Sequence, residues 1–277
     1  MAARILAFFL ICWGWLGTPL LQAGDWGHSP PQWRTLGQGL SFAEIKVFRE
    51  EEPVETLAVL RVDPANNAFR VLHHAPQSIT AWQQELGAPV IFNASYYNHD
   101  GQPCGLIVSN GNPLGPLRNV QMRGMFVAEP KGLAPDLPRA TILDLTVTPI
   151  NVKNLPWTQG MQSFPLLVDT KGRIRVRNSG KASQRTVIAT DRHGNILVVN
   201  TSEAYFTLYD LALFLKASAL EIDTALNLDG GSEAQLYIKT KDFERISPSS
   251  WENRLGNLVA QKKFWLPTVV AVSPRQD

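Results

Sequence analysis

The chain has 277 residues, 44% of them hydrophobic, with 26 basic and 24 acidic side chains and a formal net charge of +2. That size and apolar content are enough for a substantial core, and two cysteines leave no room for a disulfide framework. The near-neutral balance gives no electrostatic reason to expect a nucleic-acid partner.

Residues 1–23 read as a secretory signal peptide. Arg4 is the only charge, Ile5 to Leu16 is mostly apolar, and Leu21-Gln22-Ala23 ends on a small residue suited to cleavage. Gly14, Gly17, Thr18 and Pro19 interrupt the run short of the roughly 20 apolar residues that a membrane span requires. Cys12 lacks the small residues that precede a lipid-modified cysteine. The expected product is an exported, periplasmic or secreted domain, residues 24–277, with no stable membrane span after cleavage. Its one cysteine, Cys104, has no internal partner.

Short β-type runs follow. Phe42 to Phe48 alternates between apolar and polar, as do Thr56 to Val62 and Ala68 to Leu72. Further strands are expected at Val90 to Asn93, Leu106 to Ser109, Met125 to Ala128, Ile142 to Val147, Leu166 to Asp169 and Arg173 to Arg177. Thr186 to Thr190, Ile196 to Asn200, Ala225 to Leu228, Gln235 to Ile238 and Thr268 to Val272 complete the series. Tight turns such as Asp169-Thr170-Lys171-Gly172 and Asp191 to Asn195 favour antiparallel neighbours, because parallel pairs need long crossovers. Thr80 with Gln83 predicts the start of a short helix, and Gly87 with Pro89 its stop. Thr207 with Asp210 opens a second helix from Leu208 to about Ala219, with Leu208, Leu211, Ala212 and Leu215 on one face. It leads into the next strand and is expected to pack beneath the turn at Asp229. Glu129 to Pro138 reads as a Pro- and Gly-rich surface loop. The expected class is α+β: β-rich, with twisted, mostly antiparallel or mixed sheets and a few helices packed on them.

The most informative segment is Ala225-Leu226-Asn227-Leu228-Asp229-Gly230-Gly231-Ser232. An apolar strand ends on an acid, and paired glycines let the backbone turn sharply or approach a ligand closely. A carboxylate at such a strand end is held rigidly and faces outward. The competing reading is a plain Asp-Gly hairpin turn. Metal binding finds no support: His73 and His74, adjacent on a strand, point to opposite faces, and no Cys or His cluster has ligand spacing. Cys104 with His99 lacks the frame of a thiol nucleophile.

Several motifs stand in a fixed order. Ile91-Phe92-Asn93-Ala94-Ser95-Tyr96-Tyr97 is followed by Asp100-Gly101-Gln102-Pro103-Cys104-Gly105. A proline-centred strand, Gln162 to Asp169, precedes an Arg185-Thr186 strand and Asn227-Leu228-Asp229-Gly230-Gly231-Ser232-Glu233. The chain thereby resembles the phosphodiester glycosidase family, over residues of about 85 to 260. Three positions depart from the family pattern. Its Asn-Gly-Gly is here Asn93-Ala94-Ser95, its triple glycine is Gly230-Gly231-Ser232, and the glycine-rich stretch before the long helix is Asn200 to Ala204. Arg254 and Asn257 match a late Arg-x-x-Asn element only weakly.

The resemblance implies hydrolysis of a sugar-1-phosphodiester in a glycan or glycoconjugate, with no cofactor and no metal. The departing phosphate monoester is already stable as an anion. The site must therefore bind phosphate, stabilise an oxocarbenium-like centre and aim a water or nucleophile. Asp229 is the candidate base, nucleophile or electrostatic stabiliser, and the residues alone do not separate these roles. Arg185 is the candidate phosphate clamp, since a guanidinium meets phosphate oxygens with two prongs. Asn93 completes the catalytic set. Asn227, Gly230, Gly231, Ser232, Thr186, Gln162 and Ser163 are the candidate substrate-binding residues. Asn93 could instead simply satisfy backbone groups at a strand end, and Arg185 could be a surface charge. The alternative function is a non-catalytic glycan- or partner-binding envelope protein, motivated by the departures from the family pattern at Ala94, Ser95 and Glu233.

Overall fold

The computed structural model describes residues 26–132, 136–248 and 264–276. The predicted signal peptide, Arg254 and Asn257 lie outside them. No helix among the described residues is long and apolar enough to cross a membrane.

Three antiparallel sheets enclose a shared core. The first runs in the order Gly27–His28, Leu40–Arg49, Glu52–Val62, Ile196–Thr201, Thr186–Asp191, Ile222–Asn227, Leu166–Val168, with Arg34–Gly37 also paired to Leu40–Arg49. The second runs Ala140–Asp144, Gly124–Pro130, Trp157–Ser163, Ile107–Ser109, Asn112–Leu114. The third runs Glu244–Ser247, Leu236–Lys239, Val90–Asn93, Leu266–Pro274, Asn67–Gln77. All three feed one apolar cluster: Leu60, Ile188 and Leu226 from the first, Phe126 and Met161 from the second, Phe92, Leu236 and Val270 from the third.

The two-residue period of a strand explains the rest of the packing. In the first sheet Ile188 and Leu226 face this shared core, while Val187, Ala189 and Ala225 face the opposite way. Helix α2, Leu208–Ala217, covers that outer face with Leu211, Phe214 and Leu215. Its N-cap Thr207 accepts from Asp210 N at 3.1 Å, as its sequence predicts. Both faces of the central strands are therefore buried, so they read as continuous apolar runs. Helix α1, Ile79–Leu86, closes the outer face of the third sheet through Trp82, packed with Ile91, Tyr237 and Val269.

Several expectations are corrected. The N-cap of α1 is Ser78, whose hydroxyl accepts from Ala81 N at 3.2 Å; Thr80 lies inside the helix. Gly87 does end it, in the left-handed conformation at φ 62°. Arg173 to Arg177 forms no strand beyond one bridge, Val168 to Ile174. Arg173 and Arg175 instead turn back onto Asp169, at 2.9 and 3.1 Å, and Arg175 also reaches Asp144 at 3.0 Å. Burial pushes the Asp169 carboxyl up, but the Arg173 backbone N–H, the two guanidiniums and Lys171 N outweigh it and hold the group at about 2. The strand from Ile142 stops at Asp144, which caps the following turn by accepting from Thr146 N. Glu129 is not loop: it ends a strand and takes a two-pronged contact from Arg275 at 2.7 and 3.0 Å.

One central strand, Trp157–Ser163, is absent from the sequence reading because Gln159, Gly160 and Gln162 disguise it. Those glutamines are buried, and their side-chain oxygens accept from Val71 N at 2.9 Å and Leu106 N at 3.0 Å. Gln159 thereby bridges the second and third sheets, while Gln162 extends the pairing with the Ile107–Ser109 strand, beside its own N–H bond to Leu106 O at 2.8 Å.

Candidate active site

The chain leaves the first sheet at Asn227, and all three sheets meet there. Leu228 N still donates to Thr186 O at 2.9 Å, and then Asp229 N crosses to Ala94 O, 3.3 Å away at the end of the Val90–Asn93 strand. The second sheet joins through Ser163, whose hydroxyl donates to Asn227 O at 2.7 Å.

Asn93 sits at the centre of this junction, 1% exposed. Its Oδ1 accepts from Thr186 Oγ1 at 2.7 Å and Gln235 N at 3.0 Å; its Nδ2 donates to Asp229 O at 2.9 Å and Ala94 O at 3.2 Å. The network continues from Thr186 to Asn200 Nδ2 at 2.9 Å and on to Ser247 Oγ at 2.6 Å from Asn200 Oδ1. Asn93 and Asn200 also head Asn-x-Ser sequons, and neither is accessible for modification.

Asp229 itself is partly exposed. Burial, and secondly the Glu233 charge, push its carboxyl from an ordinary 3.8 up to about 7, while Gly230 N, donating to Oδ1 at 2.9 Å, pulls the other way. Glu233 closes the short 3-10 turn Gly231–Glu233 and accepts from Ser232 Oγ at 2.8 Å and, more weakly, from Tyr97 at 3.4 Å. Tyr96 stacks on Phe164 with ring centroids 4.7 Å apart and receives Asn227 Nδ2 at 2.8 Å. Burial first, and then the Asp229 charge, raise the Tyr96 hydroxyl above its ordinary range, so it stays a neutral donor.

Arg185 lies on the other side of Gly230: a methyl placed on Gly230 would stand 3.3 Å from Arg185 Nη1 and 3.0 Å from Gln184 O. Nη2 donates to Lys181 O at 3.0 Å, while Nε is buried without a partner. Ser95 Oγ and Asn227 Oδ1 are likewise buried and unpartnered. Unpaired buried polar atoms cost on the order of 1–3 kcal/mol each, and these three belong to the segments that hold the Asp229 turn.

Asn93, Arg185 and Asp229 thus converge from distant parts of the sequence. Asn227 and Ser163 lie beside them, with Ser163 and the Asn227 amide nitrogen committed to internal bonds. The Thr186 hydroxyl is enclosed between Asn93 and Asn200. Gly230 N serves Asp229 and Gly231 N serves Gln184 O at 2.9 Å, so neither amide is left over for a phosphate. Gly231 adopts φ 68°, the left-handed region that glycine favours. Gln162 has both ends of its amide committed, to Leu106 N and Met122 O.

The sequence reading did not single out Tyr96, Tyr97, Glu233 or Glu55 as site residues. The four-residue spacing of Asp229 and Glu233 was the available signal. Glu55 is 2% exposed and accepts from the backbone of Thr56, Ser202, Glu203 and Tyr205. It pins the loop that pairs with Arg185 through Thr201 N to Arg185 O at 2.9 Å. Burial drives its carboxyl up to about 7 despite those donors.

Gly230→Ala is expected to displace the Arg185 guanidinium while leaving the fold intact, since φ −124° suits alanine. Thermal melting within about 1 kcal/mol of wild type, together with weakened phosphate binding by calorimetry, would establish the close approach; unchanged binding would refute it.

A family model described as phosphodiester glycosidase matches residues 87–261. No curated protein sequence matches the chain. Among solved structures, the catalytic domain of zebrafish N-acetylglucosamine-1-phosphodiester alpha-N-acetylglucosaminidase, auto-inhibited by its pro-peptide, aligns with TM-score 0.58 at 16% identity, covering 90% of this chain and 88% of that one. A hypothetical protein from Synechocystis aligns at 0.56 and 15% identity, covering 89% of this chain; this chain spans 64% of that protein. A Burkholderia pseudomallei protein named for its expected export aligns at 0.53 and 10% identity, covering 93% and 99%. At these identities the likeness is one of fold.

Proposed function

The chain belongs to the phosphodiester glycosidase family, and on that premise we propose that it is an exported hydrolase cleaving a sugar-1-phosphodiester in a glycan or glycoconjugate. The observation that carries the reading is the pairing, across Gly230, of a carboxyl raised to about 7 at Asp229 with the unpartnered buried Nε of Arg185. One group suits proton transfer near neutral pH, and the other suits an anion.

In this reading the bond between the anomeric carbon and the phosphate oxygen breaks. The electron pair leaves on the phosphate monoester, whose oxygens Arg185 receives. A water attacks the anomeric carbon and gives its proton to Asp229. Burial, and secondly Glu233, keep the Asp229 proton affinity high enough for that transfer, and a neutral Tyr96 is placed to meet a sugar hydroxyl. Asn93 and Thr186 hold Asp229 in place and touch no substrate.

The test is turnover of a panel of sugar-1-phosphodiesters by the mature protein. As Asp229 must be deprotonated to act as base, kcat/KM is expected to climb with pH and level off above about 7. Arg185→Ala is expected to lower kcat/KM by about 10²–10³, the usual loss for a group that stabilises developing charge. Turnover by the variant equal to wild type would remove the phosphate-clamp assignment, and glycan binding without turnover would favour a non-catalytic role.

A further inference from the structure

A cavity of about 540 Å³ lies behind the segment Cys104 to Leu106 and has no role in the reaction described. Arg118 and Arg123 line it, and no carboxylate does among the described residues. Leu117 and Val120, also in its wall, are 61% and 65% exposed, unusual for large apolar side chains with no partner in view.

Cys104 to Leu106 forms the wall between cavity and active site. On the active-site side, Cys104 N donates to Tyr96 O at 2.9 Å. On the cavity side, Asn119 Nδ2 donates to Cys104 O at 2.8 Å, the Met122 sulfur presses on Gly105, and Gln162 grips Leu106 N. The Asp229 charge acts on the Cys104 thiol, so one segment of chain separates that carboxyl from the cavity.

The lining chemistry says which part of a substrate the cavity suits. A sugar needs free hydrogen-bonding groups, yet the Asn119 amide nitrogen and both ends of the Gln162 amide are already committed to the protein. What is left is apolar surface and two guanidiniums. We propose that the cavity is the subsite for the non-sugar arm of the phosphodiester, and that it selects an apolar arm carrying a further anionic group. The proposal rests on the hydrolase reading and names the substrate class for it.

Hexose-1-phosphodiesters with a methyl arm, a hexyl arm and a hexyl arm ending in phosphate separate the contributions. We expect kcat/KM to rise about tenfold from methyl to hexyl and about tenfold again with the terminal phosphate. Arg118→Ala and Arg123→Ala should shrink the ratio between the phosphate-ended and plain hexyl substrates, and Val120→Asp the ratio between hexyl and methyl. Equal kcat/KM for all three arms overturns the subsite and leaves hydrolysis standing. If no diester turns over, calorimetry with hexyl phosphate decides: binding by wild type that weakens in Arg118→Ala and Arg123→Ala keeps the subsite while the hydrolase reading falls. No binding overturns both.

Discussion

Asp229→Asn is expected to yield, at pH 8, a protein that is more stable than wild type and about 10³-fold less active. Both effects follow from one fact: the folded protein holds the Asp229 carboxyl at about 7, whereas an unfolded aspartate has its ordinary 3.8. The folded state therefore binds the proton more tightly than the unfolded state. Stability from this group is complete below about pH 4 and is lost as pH rises through about 7. Three pH units correspond to about 4 kcal/mol at 1.36 kcal/mol per unit, and partial solvent access brings the expected gain of the variant nearer 2 kcal/mol. An asparagine carries no charge to desolvate, and its oxygen can still accept from Gly230 N. Denaturant melts of both proteins at pH 4 and pH 8 supply the measurement. Curves that coincide at pH 4 and separate at pH 8 are expected; a variant less stable at pH 8 would show that the carboxylate is not strained there. Comparing two proteins at each pH also cancels Glu55, which titrates in the same window.

Asn93→Ala is expected to be the most destabilising single change at the site. It removes a side chain that makes four hydrogen bonds in a 1% exposed position. Thr186 Oγ1, Gln235 N and Asp229 O would lose a partner in a place water does not reach, at on the order of 1–3 kcal/mol each. Partial relaxation brings the expected total to about 3 kcal/mol, or a fall in Tm of about 10 °C for a domain of this size. Activity should fall with it, because the bond to Asp229 O is what fixes the turn. A double-mutant cycle with Thr186→Val isolates the pair: a coupling of about 1 kcal/mol or more is expected, and strict additivity would show that the network does not act as a unit.

Much of this fold was legible in the chain. Strands such as Thr186–Asp191 and Ile196–Thr201 announce themselves because both faces are buried and each carries an unbroken apolar run, Val187 to Ala189 and Ile196 to Val199. The start of α2 and the glycine stop of α1 followed from capping chemistry, whereas α2 ends at Ala217, two residues before the expected Ala219. Trp157–Ser163 did not, since its glutamines look like loop residues until Val71 N and Leu106 N are seen to need acceptors. The false strand at Arg173 to Arg177 had a suitable alternation, but its two arginines had closer partners in Asp169 and Asp144.

The site divides along the same line. Ordered motifs were enough to nominate Asn93, Arg185 and Asp229, since each is a local signal: a strand end, a charge, a glycine turn. Which of their atoms are free was decided only by the packed molecule. Thr186, Ser163 and the glycine amides carry suitable chemistry but spend it inside the protein. Glu55 acts on the site from a position whose local sequence says nothing of proximity. A residue's type and its neighbours in the chain determine what it can donate, accept or ionise. Its desolvation, the charges beside it and the partners that have already claimed its atoms arise from contacts across 130 residues or more, such as Asn93 to Asp229, and those exist only once three sheets have closed on one another.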